Sequence, residues 1–347
     1  MESVQEGKAN IKTQVANIPS RDMEVFYNPV MKFNRDFSVA LLRNVSDKGI
    51  RVLDPMAATG IRAIRFEKEI GKIKYIHAND ISRQAIKLMK SNIKLNKCKK
   101  IKVTNIDANL ISGEYDYIDI DPFGYPGPYI QNAISNLKLG KILAVTATDT
   151  AALTGSAPKA CKRKYLADNT RNWMMHEIGL RILIGWVARK ALENGKSIEV
   201  LASYSKEHYM RVFTRLKAKK KMPIGFIWRC DKCLDFGSGT NAQCNCGAET
   251  RISGPLWVGK LGDAYLLKKI RKEMSGKFLD YLQSDYESTL IGFHDIHEIC
   301  SKHKTKAVPK FEAIMKHSKA KRTSFSQTGI KTKRKTKEVL KSIQKSF

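Results

Sequence analysis

Short β-branched runs alternate with amphipathic stretches from residue 50 to about residue 216. The runs IRVLD (50–54), KYIHAND (74–80), KIKVTNID (100–107), YDYIDID (115–121), KILAVTA (141–147), IEVLASY (198–204) and YMRVFTRL (209–216) read as strands. Apolar positions spaced by three and four predict helices over 60–70, 82–96, 126–138 and 169–192. Alternation at this spacing means a mostly parallel sheet covered by helices on both faces. The last two runs have no helix between them, so the final strand is expected to run antiparallel. The pattern predicts an α/β fold, doubly wound and Rossmann-like.

After Lys219-Lys220-Lys221-Met222-Pro223 the texture changes. Residues 226–259 hold cysteines, glycines and short apolar pieces, and residues 262–302 read as helices. A boundary near Met222 divides the chain into residues 1–221, with the main sheet, and a smaller α+β part, 222–347. The tail, 301–347, carries fifteen lysines and arginines against Glu312 and Glu338, yet PKFEAIMKH and TKEVLKSIQ have helical spacing. It is expected to be part folded.

Charge changes the picture. Lysine and arginine number 63 against 33 acids in 347 residues, a net charge of +30. That excess calls for a polyanionic partner, first of all a nucleic acid. The most apolar stretch, 178–192, carries Arg181 and Arg189, so no bilayer-spanning run is expected, and the N-terminal residues lack an apolar secretory core. The seven cysteines, four of them within 230–246, suit a reducing cytoplasm and a metal site better than disulfides. Nothing in the sequence points to a protein partner.

Open α/β sheets bind ligands at the carboxyl ends of their strands. The first strand ends in Asp54-Pro55-Met56-Ala57-Ala58-Thr59-Gly60, where small residues let backbone approach a ligand at a helix start. With one glycine in that turn and no GK[ST] loop elsewhere, nicotinamide and ATP readings weaken. The second strand ends in Asp80, placed to accept from ribose hydroxyls, and the third in Asp107, placed to accept from an adenine amine. Asp54, Asp80 and Asp107 thus outline a nucleoside site. Such an acidic pocket in a basic protein suits the sulfonium of S-adenosylmethionine better than a pyrophosphate.

The fourth strand ends in Asp119-Ile120-Asp121-Pro122-Phe123-Gly124-Tyr125-Pro126. Asp-Pro followed by an aromatic is an amino-methyltransferase signature, and a doubly wound sheet with an antiparallel last strand is the usual core of such enzymes. An exocyclic purine amine is a poor nucleophile because its lone pair is delocalised into the ring. Hydrogen bonds from that amine to Asp121 and to the Pro122 carbonyl would orient the lone pair towards a methyl group, and Phe123 would stack on the base. Adenine N6 is the competing target on this evidence. A catalytically dead RNA-binding zinc protein would not need the intact Asp80, Asp107 and Asp121.

Cys230-x-x-Cys233 and Cys244-x-Cys246 form two knuckles that suit tetrahedral structural zinc, or else remain free thiols of a degenerate site. Three basic stretches, 159–164, 211–221 and the tail, have Phe213, Phe311 and Phe325 among them and read together as an RNA-tracking surface. Whether they share one face is open at this point.

Blocks along nearly the whole chain resemble the archaeal and eukaryotic tRNA (guanine-26-N2)-dimethyltransferases. They are VFYNPVMKFNRDFSV (25–39), DPMAATGIRAIR (54–65), AND (78–80), DAN (107–109), DIDPFGYP (119–126), TATDTAALTG (146–155), GPLWVGKL (254–261) and RTSFSQTGIKT (322–332). The resemblance implies methyl transfer from S-adenosylmethionine to the N2 amine of guanine 26 in tRNA. It also implies cofactor contacts from Arg35, Arg62, Asp80, Asp107 and Ala108, and a flipped guanine held between Phe26 and Phe123 with Asp121 at its amine. Taken alone, Arg62 behind the first turn could pair with the methionine carboxylate, though either arginine could equally lie on the surface. The chain departs from the family at Lys260, where an acid is common, and at Cys244-x-Cys246, one residue shorter than the usual knuckle.

Overall fold

The computed structural model describes residues 2–13, 25, 27–45, 49–305 and 307–346. Its centre is a seven-stranded sheet of β3 (Ile50–Asp54), β4 (Ile73–Asn79), β5 (Ile101–Thr104), β6 (Tyr115–Ile120), β7 (Leu137–Ala147), β8 (Lys196–Lys206) and β9 (Tyr209–Ala218). The spatial order is β5-β4-β3-β6-β7-β9-β8, and β9 runs antiparallel to both neighbours, as the missing helix predicted. The order reverses between β3 and β6, which opens a crevice at their carboxyl ends.

The expected helices appear as α2 (Ile61–Glu69), α3 (Arg83–Leu95), α4 (Gly127–Ser135) and α7 (Met175–Glu193). Two more, α5 (Thr150–Leu153) and α6 (Pro158–Tyr165), lie in the passage between β7 and α7. Helix α7 departs from the amphipathic expectation: it is buried almost all round, so its apolar residues form no single stripe.

Ahead of the sheet come β1 (Glu2–Glu6), β2 (Ala9–Thr13) and α1 (Lys32–Val45), none of them foreseen from the sequence. The β1–β2 hairpin is held by α3. Asn92 and Asn96, one helical turn apart, accept from the backbone N–H of Lys12 (2.8 Å) and Asn10 (2.9 Å) and donate to the carbonyls of the same two residues. Ala9 and Ile11 bury against Ile61 and Ile64 of α2.

The C-terminal part begins with a small antiparallel sheet of β10 (Ile224–Arg229), β11 (Phe236–Ser238) and β12 (Arg251–Trp257). Helices α8 (Ala264–Ile270), α9 (Lys277–Glu287) and α10 (Ile296–Lys302) follow. The tail is folded throughout its described residues. Helices α11 (Phe311–Ser318) and α12 (Thr336–Gln344) join a second small sheet of β13 (His294–Asp295), β14 (Lys321–Arg322) and β15 (Gly329–Lys331). Met222, Leu256, Leu267 and Leu282 belong to the same apolar core as the main sheet, while Leu234, Ile299, Ile314 and Ile343 form a separate small one. Packing is therefore continuous across residue 222. Among the described residues no helix is long and apolar enough to cross a membrane.

Candidate active site

Asp54, Asp80 and Asp121 stand close together at the carboxyl ends of β3, β4 and β6, and Asp107 lies just beyond β5. The turn after β3 is fixed by three contacts. Ala57 N–H donates to the Asn79 carbonyl (2.8 Å), Ala58 N–H donates to Asp80 Oδ2 (2.9 Å), and Gly60 N–H closes onto the Ala57 carbonyl (2.7 Å). Gly60 has φ +78°, and a Cβ there would lie 2.7 Å from the Met89 side chain, so this one glycine is required. The other Asp80 oxygen accepts from Ser82 N–H (2.9 Å), and Ser82 caps α3 through Ala85 N–H.

Asn79 is fully buried and joins three strand ends. It donates to the carbonyls of Pro55 (3.1 Å) and Ile106 (3.0 Å) and accepts from the Thr104 hydroxyl (2.8 Å). Asp107 opens the helical turn Ala108–Leu110 by accepting from Asn109 N–H (2.8 Å).

Beneath these ends lies a buried ionic chain. Alternation along β6 puts Tyr117, Asp119 and Asp121 on one face. Arg211 of β9 is fully buried and reaches Asp119 with both terminal nitrogens (2.7 and 2.8 Å), the Thr146 hydroxyl (2.8 Å) and the Tyr117 hydroxyl (3.2 Å). Arg62 spans Asp119 (3.2 Å) and Asp121, and also donates to Asn34 and Ser38 of α1 (3.2 Å each). Burial alone would push the Asp119 carboxyl up, but Arg211 and Arg62 outweigh it and hold it below the usual carboxylate range.

Asp54 behaves differently. Burial pushes its carboxyl up to about 7; Arg62 opposes this, while Asp119, Asp121 and Asp80 add to it. Its Oδ2 is buried without a hydrogen-bond partner. An acid-rich pocket containing an unpartnered buried oxygen suits a cationic ligand, so these residues fit the ammonium and sulfonium of S-adenosylmethionine.

Asp121 is the member of the chain that reaches the surface, with its side chain 18% exposed, and the next aromatic, Phe123, is 46% exposed. The following loop is tied to the end of β7, since Gly124 N–H donates to the Thr148 hydroxyl (2.6 Å) and Thr148 N–H to the Gly124 carbonyl (3.1 Å). Pro122 is buried in the bend between Asp121 and Phe123.

Arg35 is also buried, in a two-point pair with Glu6 of the hairpin (2.7 and 2.6 Å). Burial would raise the Glu6 carboxyl, but Arg35 and Arg65 hold it down at about 2. Neither Arg35 nor Arg62 is a surface arginine. Phe26 lies outside the described residues; its neighbour Tyr27 is buried and donates to Glu6 (3.1 Å).

The four knuckle cysteines come together as expected. The sulfurs of Cys230 and Cys246, and of Cys233 and Cys244, are 3.5 Å apart, and all four ligand atoms lie within 4.8 Å. Zinc–sulfur bonds of ~2.3 Å set tetrahedron edges of ~3.8 Å, so the thiols fit a zinc ion. The shortened second knuckle still closes, because Gly247 adopts φ +81° and donates to the Cys244 carbonyl (2.8 Å). Two cavities of about 590 and 720 Å³ open elsewhere, and none of the strand-end acids lines either.

The structure corrects the RNA-surface reading at several residues. Arg211 and Phe213 are fully buried in β9, Phe325 is buried, and Lys331 of the tail is buried between carboxylates. Asn34, Asn79, Asp119 and Arg211 went unnoticed as site residues. One signal for Arg211 was available: an arginine inside the apolar strand YMRVF, in a sheet that also carries Asp119 on β6, two strands away.

A family model described as N2,N2-dimethylguanosine tRNA methyltransferase matches residues 7–344. A tRNA (guanine(26)-N(2)/guanine(27)-N(2))-dimethyltransferase of Aquifex aeolicus is 35% identical, over 99% of this chain and 96% of its own length. A tRNA (guanine(26)-N(2))-dimethyltransferase of Pyrococcus abyssi is 38% identical, over 95% of each chain. Among solved structures, Trm1 from Pyrococcus horikoshii in complex with S-adenosyl-L-methionine superposes with a TM-score of 0.87 at 35% identity, covering 99% of this chain and 100% of that one.

Proposed function

The chain belongs to the N2,N2-dimethylguanosine tRNA methyltransferase family and methylates the N2 amine of guanine 26 in tRNA from S-adenosylmethionine; we propose which of its residues do this. The observation that carries the assignment is Asp121, anchored by Arg62 at the end of β6 and exposed beside Phe123. Asp121 and the Pro122 carbonyl accept from the guanine amine, leaving its lone pair facing the methyl donor. Phe123 stacks on one face of the extruded base and Phe26 on the other. Bound S-adenosylmethionine supplies an electrophilic methyl on a positive sulfonium. The nitrogen sheds one proton as it gains the methyl, and the Asp121 carboxylate is placed to receive it. Asp80 holds the ribose hydroxyls, Asp107 and Ala108 the adenine edge, and Asp54 with Arg35 and Arg62 the methionine end.

We assign residues 1–221 to methyl transfer and 222–347 to tRNA docking, the latter braced by a structural zinc on Cys230, Cys233, Cys244 and Cys246. A cytoplasmic location accords with seven cysteines that are all unpaired. The reaction is tested by incubating the protein with unmodified tRNA and labelled cofactor, then mapping the modified nucleoside. N2-methylated guanosine at position 26 is expected, and N6-methyladenosine would overturn the assignment. The zinc assignment predicts one zinc per chain by metal analysis. It also predicts that Cys233→Ser releases the ion and lowers the melting temperature, while turnover in the cold stays within a fewfold. A wild-type protein free of zinc would refute it.

A further inference from the structure

Topology separates the basic stretches. Strand β9 begins at the site, where Met210 pairs with Ala147, and ends beside the start of β8, where Ala218 pairs with Lys196. Ten residues at ~3.3 Å each therefore put Lys219, Lys220 and Lys221 ~30 Å from the strand ends that carry Asp54 and Asp121. Helix α6, by contrast, follows the carboxyl end of β7 and is fastened to the catalytic loop. The Tyr125 hydroxyl donates to the Lys164 carbonyl (2.6 Å), and the Lys164 ammonium lies over the Tyr125 ring, 5.4 Å from its centre. The same ammonium pairs with Asp149 (3.1 Å), which also accepts from the Tyr165 hydroxyl (2.6 Å). Asp149 follows Thr148, the residue that clasps Gly124.

While Lys164, Tyr165 and Cys161 face inward, Lys159, Lys162 and Arg163 are exposed. Lys162 has one weak partner, Asp168 at 3.4 Å, and both of those side chains are largely exposed, so a phosphate can displace it at little cost. Lysines in a last helical turn also complement the helix dipole, but Lys164 already serves that role from the inner face.

We propose that the outer face of α6, formed by Lys159, Lys162 and Arg163, grips the tRNA phosphates flanking the extruded guanine. The inference rests on the tRNA-methylation reading and adds the surface that holds the substrate at the catalytic loop. Because α6 and residues 121–126 are joined through Tyr125, Thr148 and Asp149, a phosphate held by α6 is held at a fixed position relative to Asp121. The tail then docks a more distant part of the tRNA body, since the C-terminal part meets the entry of α7 at this same end, through Trp173 Nε1 and the Phe293 carbonyl (3.2 Å).

The test compares full-length proteins carrying Lys159→Ala, Lys162→Ala and Arg163→Ala together, or Lys219→Ala, Lys220→Ala and Lys221→Ala together. S-adenosylmethionine affinity and melting temperature report folding, and tRNA KM is measured across a salt series. The α6 variant is expected to bind the cofactor as wild type does, with tRNA KM raised on the order of tenfold and the salt slope reduced by roughly 0.7–0.9 per lost contact. Unchanged KM and slope in the folded α6 variant, or an equal loss in the Lys219–221 variant, would overturn the inference. Wild-type protein that methylates no tRNA guanine would instead overturn the reading beneath it.

Discussion

Two buried ionic clusters differ in charge balance and in access to solvent. The first is the chain Arg211–Asp119–Arg62–Asp121 with Asp54 beside it. The second joins α7 to the tail: Lys331 pairs with Glu177 (3.0 Å) and Asp285 (3.4 Å), and Arg181 pairs with Glu177 (2.9 Å). The second is balanced, two acids against two bases, and closed. Its side chains are at most 3% exposed, and Asp285 is further satisfied by Thr323 and Ser324 (2.7–2.8 Å). The first has one acid too many, a carboxylate oxygen on Asp54 without a partner, and an open end at Asp121, 18% exposed. Burial is common to both clusters. Excess acid and a route to solvent set the first apart, and on the function proposed above they leave electrostatic work for a cationic ligand and a substrate amine to complete.

The largest expected effects come from breaking each cluster. Arg211→Met leaves Asp119 with Arg62 alone, and Lys331→Met leaves Glu177 with Arg181 alone and Asp285 without a cation, and each should cost about 3–5 kcal/mol of stability. Their turnover should differ. At a temperature where both are folded, kcat should fall at least tenfold in Arg211→Met, since Asp119 then draws Arg62 away from Asp121, and stay near wild type in Lys331→Met. The double variant Arg211→Met with Asp119→Asn should regain stability without regaining turnover. An equal loss of kcat in folded Lys331→Met would erase the distinction.

The acid excess can be read through pH. Asp54 has a folded-state pKa raised from 3.8 to about 7. A raised value means its contribution favours the fold below pH 4 and is lost as pH climbs towards 7. A shift of that size corresponds to about 4 kcal/mol. Without cofactor, wild-type stability should therefore decline over that window relative to Asp54→Asn, whose profile lacks this component. Arg62, Asp80, Asp119 and Asp121 are the charged groups that face Asp54, and the substitution leaves them in place. In the closed cluster the two acids differ in sign: Lys331 and Arg181 bring Glu177 below its ordinary value, whereas burial holds Asp285 above its own. Chemical denaturation of wild type and Asp54→Asn at several pH values therefore isolates Asp54; parallel curves would mean Asp54 is already ionised in the fold.

The sheet was legible because β-branched runs and amphipathic spacing repeat from residue 50 onwards, and the strand-end acids were legible because the fold places ligands there. Asp80 and Asp121 stand directly after β4 and β6, where the strand pattern puts them. The hairpin β1–β2 was not legible, since its support comes from Asn92 and Asn96, which lie 80 or more residues away and read as ordinary polar helix positions. Arg211 was misread for a related reason. Inside a cationic run its charge suggests solvent, and only the pairing of β7 with β9 brings it over Asp119. The tail was legible only in part: helical spacing marked its two helices, but its sparse apolar residues become a core only when Leu234 from the first cysteine knuckle joins Ile314 and Ile343.

The finest comparison removes one hydroxyl from each cluster. Tyr117 donates to Asp119 (2.7 Å) and accepts from Arg211 (3.2 Å), so Tyr117→Phe deletes one bond to each charge without changing the ring's volume. Ser324 donates through its hydroxyl to Asp285 (2.7 Å), and Ser324→Ala deletes that bond alone, leaving its N–H on the same carboxylate (2.8 Å). Hydrogen bonds to charged groups contribute about 1.5–3 kcal/mol, so both variants should be destabilised by amounts in that range. In the closed cluster the loss should end there. In the open one Asp119 and Arg211 gain freedom, Arg62 follows Asp119, and Asp121 is held less firmly against the amine. Tyr117→Phe should therefore lower kcat a fewfold with tRNA KM unchanged, while Ser324→Ala leaves both alone. Identical kinetics in the two variants would show that Arg62 positions Asp121 without help from the residues beneath it.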